Sequence, residues 1–286
     1  MGNFTFKGLF LAGLFMVLGC LSIQAADDDG LITKQITIKL EKAGTLPDKI
    51  GSTKKFQITN LKIIGEINGT DLRMIREMAG KNARGNDTDG MLSVLDLSDA
   101  KIVEGGDYYY TDYPYYSTYY STSNDKIGDY TFYGCSVLTS LTLPSGLTEI
   151  GYGTFSGCSG LTSITLPSGV TEIGELAFNR CSGLTSIYVY TEKLPKMGRD
   201  VFDGCDAKKC TVYVPKGTYD DYWLSEFGYF ENIVEFDPTG INNIITSNDA
   251  KELSRYSVNG QRLSAPTNGL NIVKYSDGSV KKVVVQ

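Results

Sequence analysis

Hydrophobic residues recur with a fixed spacing through the middle of the chain. Three segments share one register with a period of 23 residues, the spacing from Ile127 to Ile150. Each segment carries an aligned isoleucine, phenylalanine, cysteine and leucine: Ile127, Ile150 and Ile173; Phe132, Phe155 and Phe178; Cys135, Cys158 and Cys181; Leu138, Leu161 and Leu184. An altered fourth copy contains Phe202 and Cys205. One such unit cannot bury its own apolar face, so the pattern predicts a right-handed solenoid of stacked coils.

Each repeat also predicts one short β-strand, from the spacing Leu138-x-x-Leu141-x-Leu143 and its copies. Successive strand residues point to opposite faces, so Leu141 and Leu143 should point inward. Pro144 and Pro167 end two of these strands, because proline cannot donate to the ladder. The outward positions are Ser140, Thr142, Ser163, Thr165, Ser186 and Tyr188. They predict either a solvated sheet surface or a flat docking face for an extended partner.

Less regular segments extend the predicted stack at both ends. Strand signatures occur at residues 61–67 and 92–102, and between them residues 70–79 have helical spacing, with Thr70 as N-cap and Gly80 as stop. Both ends of a solenoid need covers. Residues 31–60 and 211–236 are the candidates, and Trp223 in the second is predicted to plug the core, with a ligand platform as the alternative.

The pattern I-G-x-x-x-F-x-x-C-x-x-L-T-S resembles the BspA-like leucine-rich repeats found in surface proteins of Bacteroidetes and some protists. The resemblance covers residues 127 to about 235. It implies an α+β, mainly β fold: a leucine-rich-repeat solenoid over residues 26–237, caps included. It also implies a secreted or surface protein that binds host matrix proteins or neighbouring bacteria.

The two ends of the chain predict export. Residues 1–25 resemble a secretory signal peptide, with Lys7 before the apolar run 8–23 and small residues at the cleavage point. The alternative is a lipoprotein signal in which Cys20 carries the lipid. The expected location is therefore secreted or on the outer surface, with membrane contact only through a lipid at Cys20.

Residues 238–286 form a predicted β-module. A strand runs into an Asn259–Gly260 turn, and a hairpin surrounds Asp277–Gly278. This segment is similar to the C-terminal sorting modules of type IX secretion. It would then be an export address or attachment signal; otherwise it is a small accessory β-domain.

Composition argues against several kinds of chemistry. The net charge is −6, and loss of residues 1–25, which hold Lys7 and no acid, makes it −7, so nucleic acid is not an expected partner. The absence of histidine excludes sites that depend on imidazole. The segments 51–55 and 86–90 lack residues that a phosphate loop and a calcium loop need. We therefore expect no enzyme activity, no metal and no cofactor.

The cysteines have two interpretations. Those at repeat-equivalent positions are predicted to be small buried hydrophobic residues with reduced thiols. Cys205 and Cys210 could instead form a disulfide across a short loop.

A tyrosine-rich segment is the most distinctive candidate for binding. Eight of the thirteen residues from 108 to 120 are tyrosine, namely Tyr108, Tyr109, Tyr110, Tyr113, Tyr115, Tyr116, Tyr119 and Tyr120. Tyrosine offers rigid contact area with one polar group, as in antibody paratopes. The alternative is an insertion whose rings fold back on the solenoid.

These features predict a monomeric, non-catalytic adhesion or protein-interaction protein whose partner is a host or bacterial surface protein. A glycan-binding accessory protein of a polysaccharide-utilisation system is the alternative. A hydrolase that uses acidic residues ranks third.

Overall fold

The computed structural model describes residues 30–238, 252–257, 262–263, 265–266, 269–275 and 280–285. The chain divides after Pro238 into two compact units. Four predicted features lie outside the described residues: the signal segment 1–25, Cys20 within it, and the turns at Asn259–Gly260 and Asp277–Gly278.

The first unit is built mainly of strands. In chain order they are β1 (Ile36–Leu40), β2 (Asn60–Ile67), β3 (Val94–Ile102), β4 (Gly105–Thr111), β5 (Tyr119–Thr122), β6 (Lys126–Ile127), β7 (Ser140–Thr142), β8 (Glu149–Ile150), β9 (Ser163–Leu166), β10 (Glu172–Ile173), β11 (Ser186–Val189), β12 (Lys196–Met197), β13 (Thr211–Pro215) and β14 (Asn232–Phe236). The helices are α1 (Leu46–Ile50), α2 (Gly69–Met78) and α3 (Tyr219–Trp223), and a 3₁₀ turn covers Glu226–Tyr229.

One large parallel sheet organises this unit. Its eight strands follow the order β1-β2-β3-β7-β9-β11-β13-β14, and the two-residue strands β6, β8, β10 and β12 form a second parallel sheet. Leu141 lies opposite Ile164, which lies opposite Ile187. The strands predicted at 61–67 and 92–102 are confirmed as β2 and β3. Parallel sheets with few helices fit a repeat solenoid.

The predicted alternation within the repeat strands is confirmed. Leu141 and Leu143 are buried, whereas Ser140 and Thr142 are exposed. Strand β7 ends at Thr142, shortly before Pro144. The hydroxyl-bearing side chains of these strands therefore share the outward face of the large sheet.

Aligned phenylalanines form a continuous stack through the core. Phe132, Phe155, Phe178 and Phe202 are buried, and successive ring centroids lie 5.7, 5.1 and 5.7 Å apart in stacked orientations. Backbone bonds follow the same column, since Phe132 N–H donates to Thr154 O at 2.8 Å and Phe155 N–H to Ala177 O at 2.8 Å. Burial of each ring contributes roughly 1.5–3 kcal/mol. The predicted stacking of aligned residues is confirmed.

The cysteines form a buried ladder of free thiols beside this stack. Cys158, Cys181 and Cys205 donate to the carbonyls of the phenylalanines one coil earlier, at 3.1, 3.1 and 3.3 Å. Burial raises the pKa of these thiols. Cys205 and Cys210 are both free, so the alternative disulfide is wrong. The Cys205 thiol is engaged with the Phe178 carbonyl instead.

Helix α2 is present, but its N-cap differs from the predicted Thr70. Asn68 is the N-cap, because its side chain accepts from Thr70 N–H at 3.1 Å while Asp71 accepts from Asn68 N–H at 2.9 Å. This reciprocal capping box satisfies two amides that one threonine could not. The helix ends at Met78, and Gly80 follows with a positive φ of 91°, as expected of a stop.

The C-terminal cap uses other rings than the predicted tryptophan. Phe227 and Phe230 pack on Phe202, each with centroids 5.0 Å away. Tyr222 is buried and its hydroxyl lies 2.6 Å from the Thr191 hydroxyl. Trp223, the next residue on α3, is 46% exposed, so its predicted role as a plug is wrong. Adjacent helical residues cannot share one face.

The second unit contains an antiparallel sheet. Its strands β15 (Glu252–Ser257), β16 (Arg262–Leu263), β17 (Gly269–Tyr275) and β18 (Val280–Val285) follow the order β16-β15-β17-β18. The predicted pairing on either side of Asp277–Gly278 is present as β17 against β18. Arg255, Asn271 and Val273 are buried within this sheet.

Candidate functional site

The tyrosine-rich segment is a hairpin rather than an irregular loop. Strands β4 and β5 pair antiparallel, with Tyr110 opposite Tyr120. The Thr111 hydroxyl donates to Thr118 O at 2.7 Å, and Asp112 accepts from Thr118 N–H at 2.7 Å. These bonds close the tip of the hairpin. We call residues 105–122 the tyrosine hairpin.

Helix α2 and the loop that follows it hold the base of the tyrosine hairpin. Asp107 N–H donates to the Thr70 hydroxyl at 2.9 Å, and Thr111 N–H donates to Ala83 O at 2.8 Å. A Cβ at Gly69 would lie 1.8 Å from the Asp107 carbonyl oxygen, so only glycine permits this approach. The first turn of α2 and strand β4 are therefore in direct backbone contact.

Tyr109 points into the solenoid and is only 1% exposed. Its hydroxyl donates to Asp129 O at 3.0 Å, and burial raises its pKa to about 12. A side chain in this position cannot touch a partner. Tyr109 is therefore removed from the set of candidate contact residues, and it anchors the tyrosine hairpin instead.

Tyr110 and Tyr120 belong to a ring cluster on the flank of the first coils. They lie 5.7 Å apart, and each packs against Tyr130 at 5.3 and 5.2 Å. Tyr130 also contacts Tyr133 and Tyr152. Burial raises the pKa of Tyr110, Tyr120 and Tyr130. These rings match the folded-back interpretation of the tyrosine-rich segment.

A buried arginine lies beneath this cluster. The Arg76 guanidinium carbon is 4.9 Å from the Tyr110 ring centroid. The group donates to Tyr130 O at 2.9 Å, Thr131 O at 2.7 Å and Asn82 O at 3.2 Å. Arg76 thereby connects α2, the following loop and the first coil at the point where the tyrosine hairpin docks.

The outer part of the tyrosine hairpin is open to solvent. Tyr113, Tyr115, Tyr116 and Tyr119 are 50, 86, 82 and 57% exposed. Tyr119 packs edge-on against half-buried Tyr108 at 4.9 Å, and Arg73 lies over the Tyr108 ring at 5.0 Å. The two interpretations of the segment thus apply to different residues, since the base folds back and the tip is free.

Strand pairing brings the second predicted set together on the outward sheet face. Ser140, Ser163 and Ser186 lie side by side in one row. Thr142, Thr165 and Tyr188 lie side by side in the next. This set is held by β7, β9 and β11, whereas the tyrosine hairpin is held by α2 and the flank of the coils.

An aromatic group at the end of this face is not among the residues predicted from the sequence. Tyr188 stacks on Tyr213 of β13 with centroids 4.5 Å apart and planes 7° apart. Phe236 meets Tyr190 edge-on at 5.2 Å and Tyr188 at 6.5 Å. The signal was present, because Ser186–Val189 and Thr211–Val214 read S-I-Y-V and T-V-Y-V with the tyrosine at the same position.

In the segments 51–55 and 86–90, which lack the residues of a phosphate loop and a calcium loop, a lysine and an aspartate form ion pairs. Lys55 pairs with Glu77 at 2.5 Å, and Lys81 pairs with Asp87 at 2.6 Å. Among the described residues, no group of three or more Cys, Asp or Glu side chains is placed to hold a metal ion. The described helices are also too short or too polar to cross a membrane.

Residues 105–222 match, in six copies, the family described as BspA type leucine rich repeat region. The matched range begins at the first residue of β4, so it includes the tyrosine hairpin as well as the regular coils. No curated protein matches the chain.

Proposed function

Taking residues 105–222 as a BspA type leucine-rich-repeat region, we propose that this is a non-catalytic adhesion or protein-interaction protein, secreted or held on the cell surface. Leucine-rich-repeat proteins generally act by contact, and those of the BspA type are typically secreted or surface proteins. The proposed partner is a host or bacterial surface protein that contacts the tyrosine hairpin.

One observation carries this proposal: a fixed base presents an exposed aromatic tip. Four tyrosines of the tip are at least half exposed, while Tyr109 and Arg76 hold the base. Large rigid rings bury area on binding with little loss of side-chain entropy, and a pre-ordered hairpin lowers the ordering cost further. The hydroxyls and the nearby Ser117 and Thr118 add hydrogen bonds at the rim.

The proposal extends to the finer architecture and to export. Right-handed coils of 23 residues are part of the proposal, and the coil length is supported by paired residues that lie 23 positions apart, such as Ile127 and Ile150. Two forms of export fit the first residues: cleavage after Ala25, which releases the protein, and lipidation of Cys20, which anchors it. The mass of the native N-terminus distinguishes the two.

An array of extracellular-matrix proteins and bacterial surface proteins tests the interaction. The purified protein should bind one or more of them, and serine at Tyr113, Tyr115, Tyr116 and Tyr119 should weaken binding by about tenfold or more. The matched control replaces the exposed pair Tyr219 and Trp223, which stack at 6.2 Å on the C-terminal cap. Equal binding by the wild type and the hairpin variant would contradict the proposal.

A further inference from the structure

On the outward face of the large sheet, a low surface of small residues meets a higher surface of aromatic rings, and we call this junction the step. The inference drawn from the step does not depend on the function proposed for the tyrosine hairpin. Strands β7 and β9 carry small polar residues there, which we call the hydroxyl floor (Ser140, Thr142, Ser163 and Thr165). Large rings follow on β11 and directly after it, and we call them the tyrosine wall (Tyr188 on β11 and Tyr190 just past its end). Thr165 lies directly beside Tyr188 in the sheet register.

The hydroxyls of the floor are available to a ligand. Within the described part of the chain, none of the four makes a side-chain hydrogen bond. The threonines directly before β7, β9 and β11 differ, because Thr139, Thr162 and Thr185 each donate to a carbonyl of the preceding coil at 3.0 Å. The repeats therefore contain structural threonines and a separate row of unused hydroxyls.

The tyrosine wall is fixed and has one open ring face. Tyr213 covers the far side of Tyr188 at 4.5 Å, and Phe236 packs against the edges of Tyr188 and Tyr190. Rings that stack along the sheet present their other face toward the neighbouring strand, which is β9. Thr165 is too small to cover a tyrosine ring, so the near face of Tyr188 stands above the hydroxyl floor.

The floor and wall carry no charged side chain. The nearest charges in the same row are Lys62 and Asp96, which pair with each other at 3.0 Å, and Lys62 also pairs with Asp99. A charged ligand would lose water here without gaining a counter-charge. The charge pattern therefore favours a neutral ligand.

We propose that this step binds a neutral oligosaccharide, with the apolar face of one sugar ring stacked on Tyr188 and its hydroxyls bonded to the floor. A sugar hydroxyl both donates and accepts, as do serine and threonine, so the two surfaces match. A sugar stacked on Tyr188 has its ring parallel to the Tyr188 ring, and an extended chain continues in the plane of its sugars. The oligosaccharide would therefore run along β9 and β11, over Thr165 and toward Tyr190.

Tyr190 extends the site beyond the strand ends. It borders a depression of about 530 Å³ whose lining also includes the apolar Val170 and Leu194 and the oppositely charged Glu192 and Lys193. This gives the oligosaccharide a second apolar contact next to the wall. The site is open and shallow, so we expect weak binding that gains from several contacts at once.

Calorimetric titration of the purified protein with cellohexaose, xylohexaose, laminarihexaose and maltohexaose tests the inference, with oligogalacturonate as the charged counterpart. At least one neutral sugar should bind. Tyr188→Ala should weaken it by about tenfold or more, and Tyr188→Phe, which keeps the ring, by less. Thr165→Val should weaken it by about threefold to tenfold, the effect of one hydrogen bond.

Thr162→Val is the matched control, because it removes a structural hydroxyl from the same strand region. It should lower the melting temperature and leave sugar affinity unchanged. If Tyr188→Ala does not fold, Thr165→Val and Tyr188→Phe still decide the outcome. Three results would overturn the inference: no neutral sugar binds at millimolar concentration, only oligogalacturonate binds, or Thr165→Val and the Tyr188 variants bind like the wild type.

The two proposals fail independently. The hairpin variant with four serines should keep its sugar binding and lose its protein partner. Sugar binding that disappears in the hairpin variant and survives in Tyr188→Ala would assign the glycan to the hairpin and contradict the site on the sheet. It would leave the adhesion proposal standing.

Discussion

Arg76 is a buried charge that holds the tyrosine hairpin to the solenoid, and its removal tests how the hairpin is anchored. It is fully buried, yet among the described residues it makes no salt bridge, and its Nε is a buried nitrogen without a hydrogen-bond partner. Its charge is balanced by three carbonyls and by the ring of Tyr110.

The cost of Arg76→Ala follows from these contacts. Tyr130 O and Asn82 O have second donors in Tyr133 and Gly85 N–H, so they stay bonded, whereas Thr131 O loses its only donor within the described chain. One unsatisfied buried carbonyl costs about 1–3 kcal/mol. The lost contact with Tyr110 and the cavity add about 2–3 kcal/mol, and relief of the buried charge offsets part of this. We expect a net loss of about 2–4 kcal/mol.

Urea unfolding followed by circular dichroism measures this loss, and the near-ultraviolet signal reports on the tyrosine cluster. Arg76→Met fills the volume without the charge and should lose less than Arg76→Ala. The matched control is Arg73→Ala on the same helix, which also lies over a tyrosine ring but is half exposed, and should cost no more than about 1 kcal/mol. A free energy of unfolding for Arg76→Ala within about 0.5 kcal/mol of the wild-type value would show that Arg76 does not anchor the hairpin.

Three further predictions concern the core and the buried tyrosine. Phe155→Ala should cost about 3–5 kcal/mol in urea unfolding because it opens the stack on both sides, whereas Tyr115→Ser should change stability by no more than about 0.5 kcal/mol. The five described cysteines should react with a thiol reagent only when the protein unfolds, and rapid labelling of the native protein would contradict the buried ladder. Burial raises the pKa of Tyr109 to about 12 from an ordinary value of about 10. The stability that neutral Tyr109 contributes to the free energy of unfolding is therefore complete below about pH 10 and is lost as the pH rises toward about 12. Subtracting the pH dependence of Tyr109→Phe should isolate this loss, and identical alkaline unfolding of the two proteins would speak against it.

The repeated part of the fold could be predicted from the sequence because equivalent positions of successive repeats occupy the same environment. Phe132 and Phe155 occupy equal positions in equal coils, so one prediction about stacking applies to all of them. The same symmetry identified Ser140 and Thr142 as outward residues. Side chains alternate between the two faces of a strand, so the neighbours of the inward Leu141 must point outward.

The remaining features depend on contacts that no repeat encodes. Tyr109 and Tyr110 are adjacent tyrosines, and only the docking of β4 on α2 decides which one is buried. Asn68 replaces Thr70 as N-cap because Asp71 completes the capping box with it. Trp223 is exposed because Tyr222 takes the inward position on α3. In each case two residues of similar propensity compete, and tertiary packing decides between them.

Binding through the tyrosine hairpin, as proposed, requires that the hairpin is held in place before any partner binds. Hydrogen–deuterium exchange of the free protein measures this most directly. The amides of Asp107 and Thr111, bonded to Thr70 and Ala83, should be protected like the coils around Phe155, while those of Tyr115 and Tyr116 exchange fast. Fast exchange throughout residues 105–122, beside protected coils, would mean that the hairpin is not anchored and would contradict the proposal.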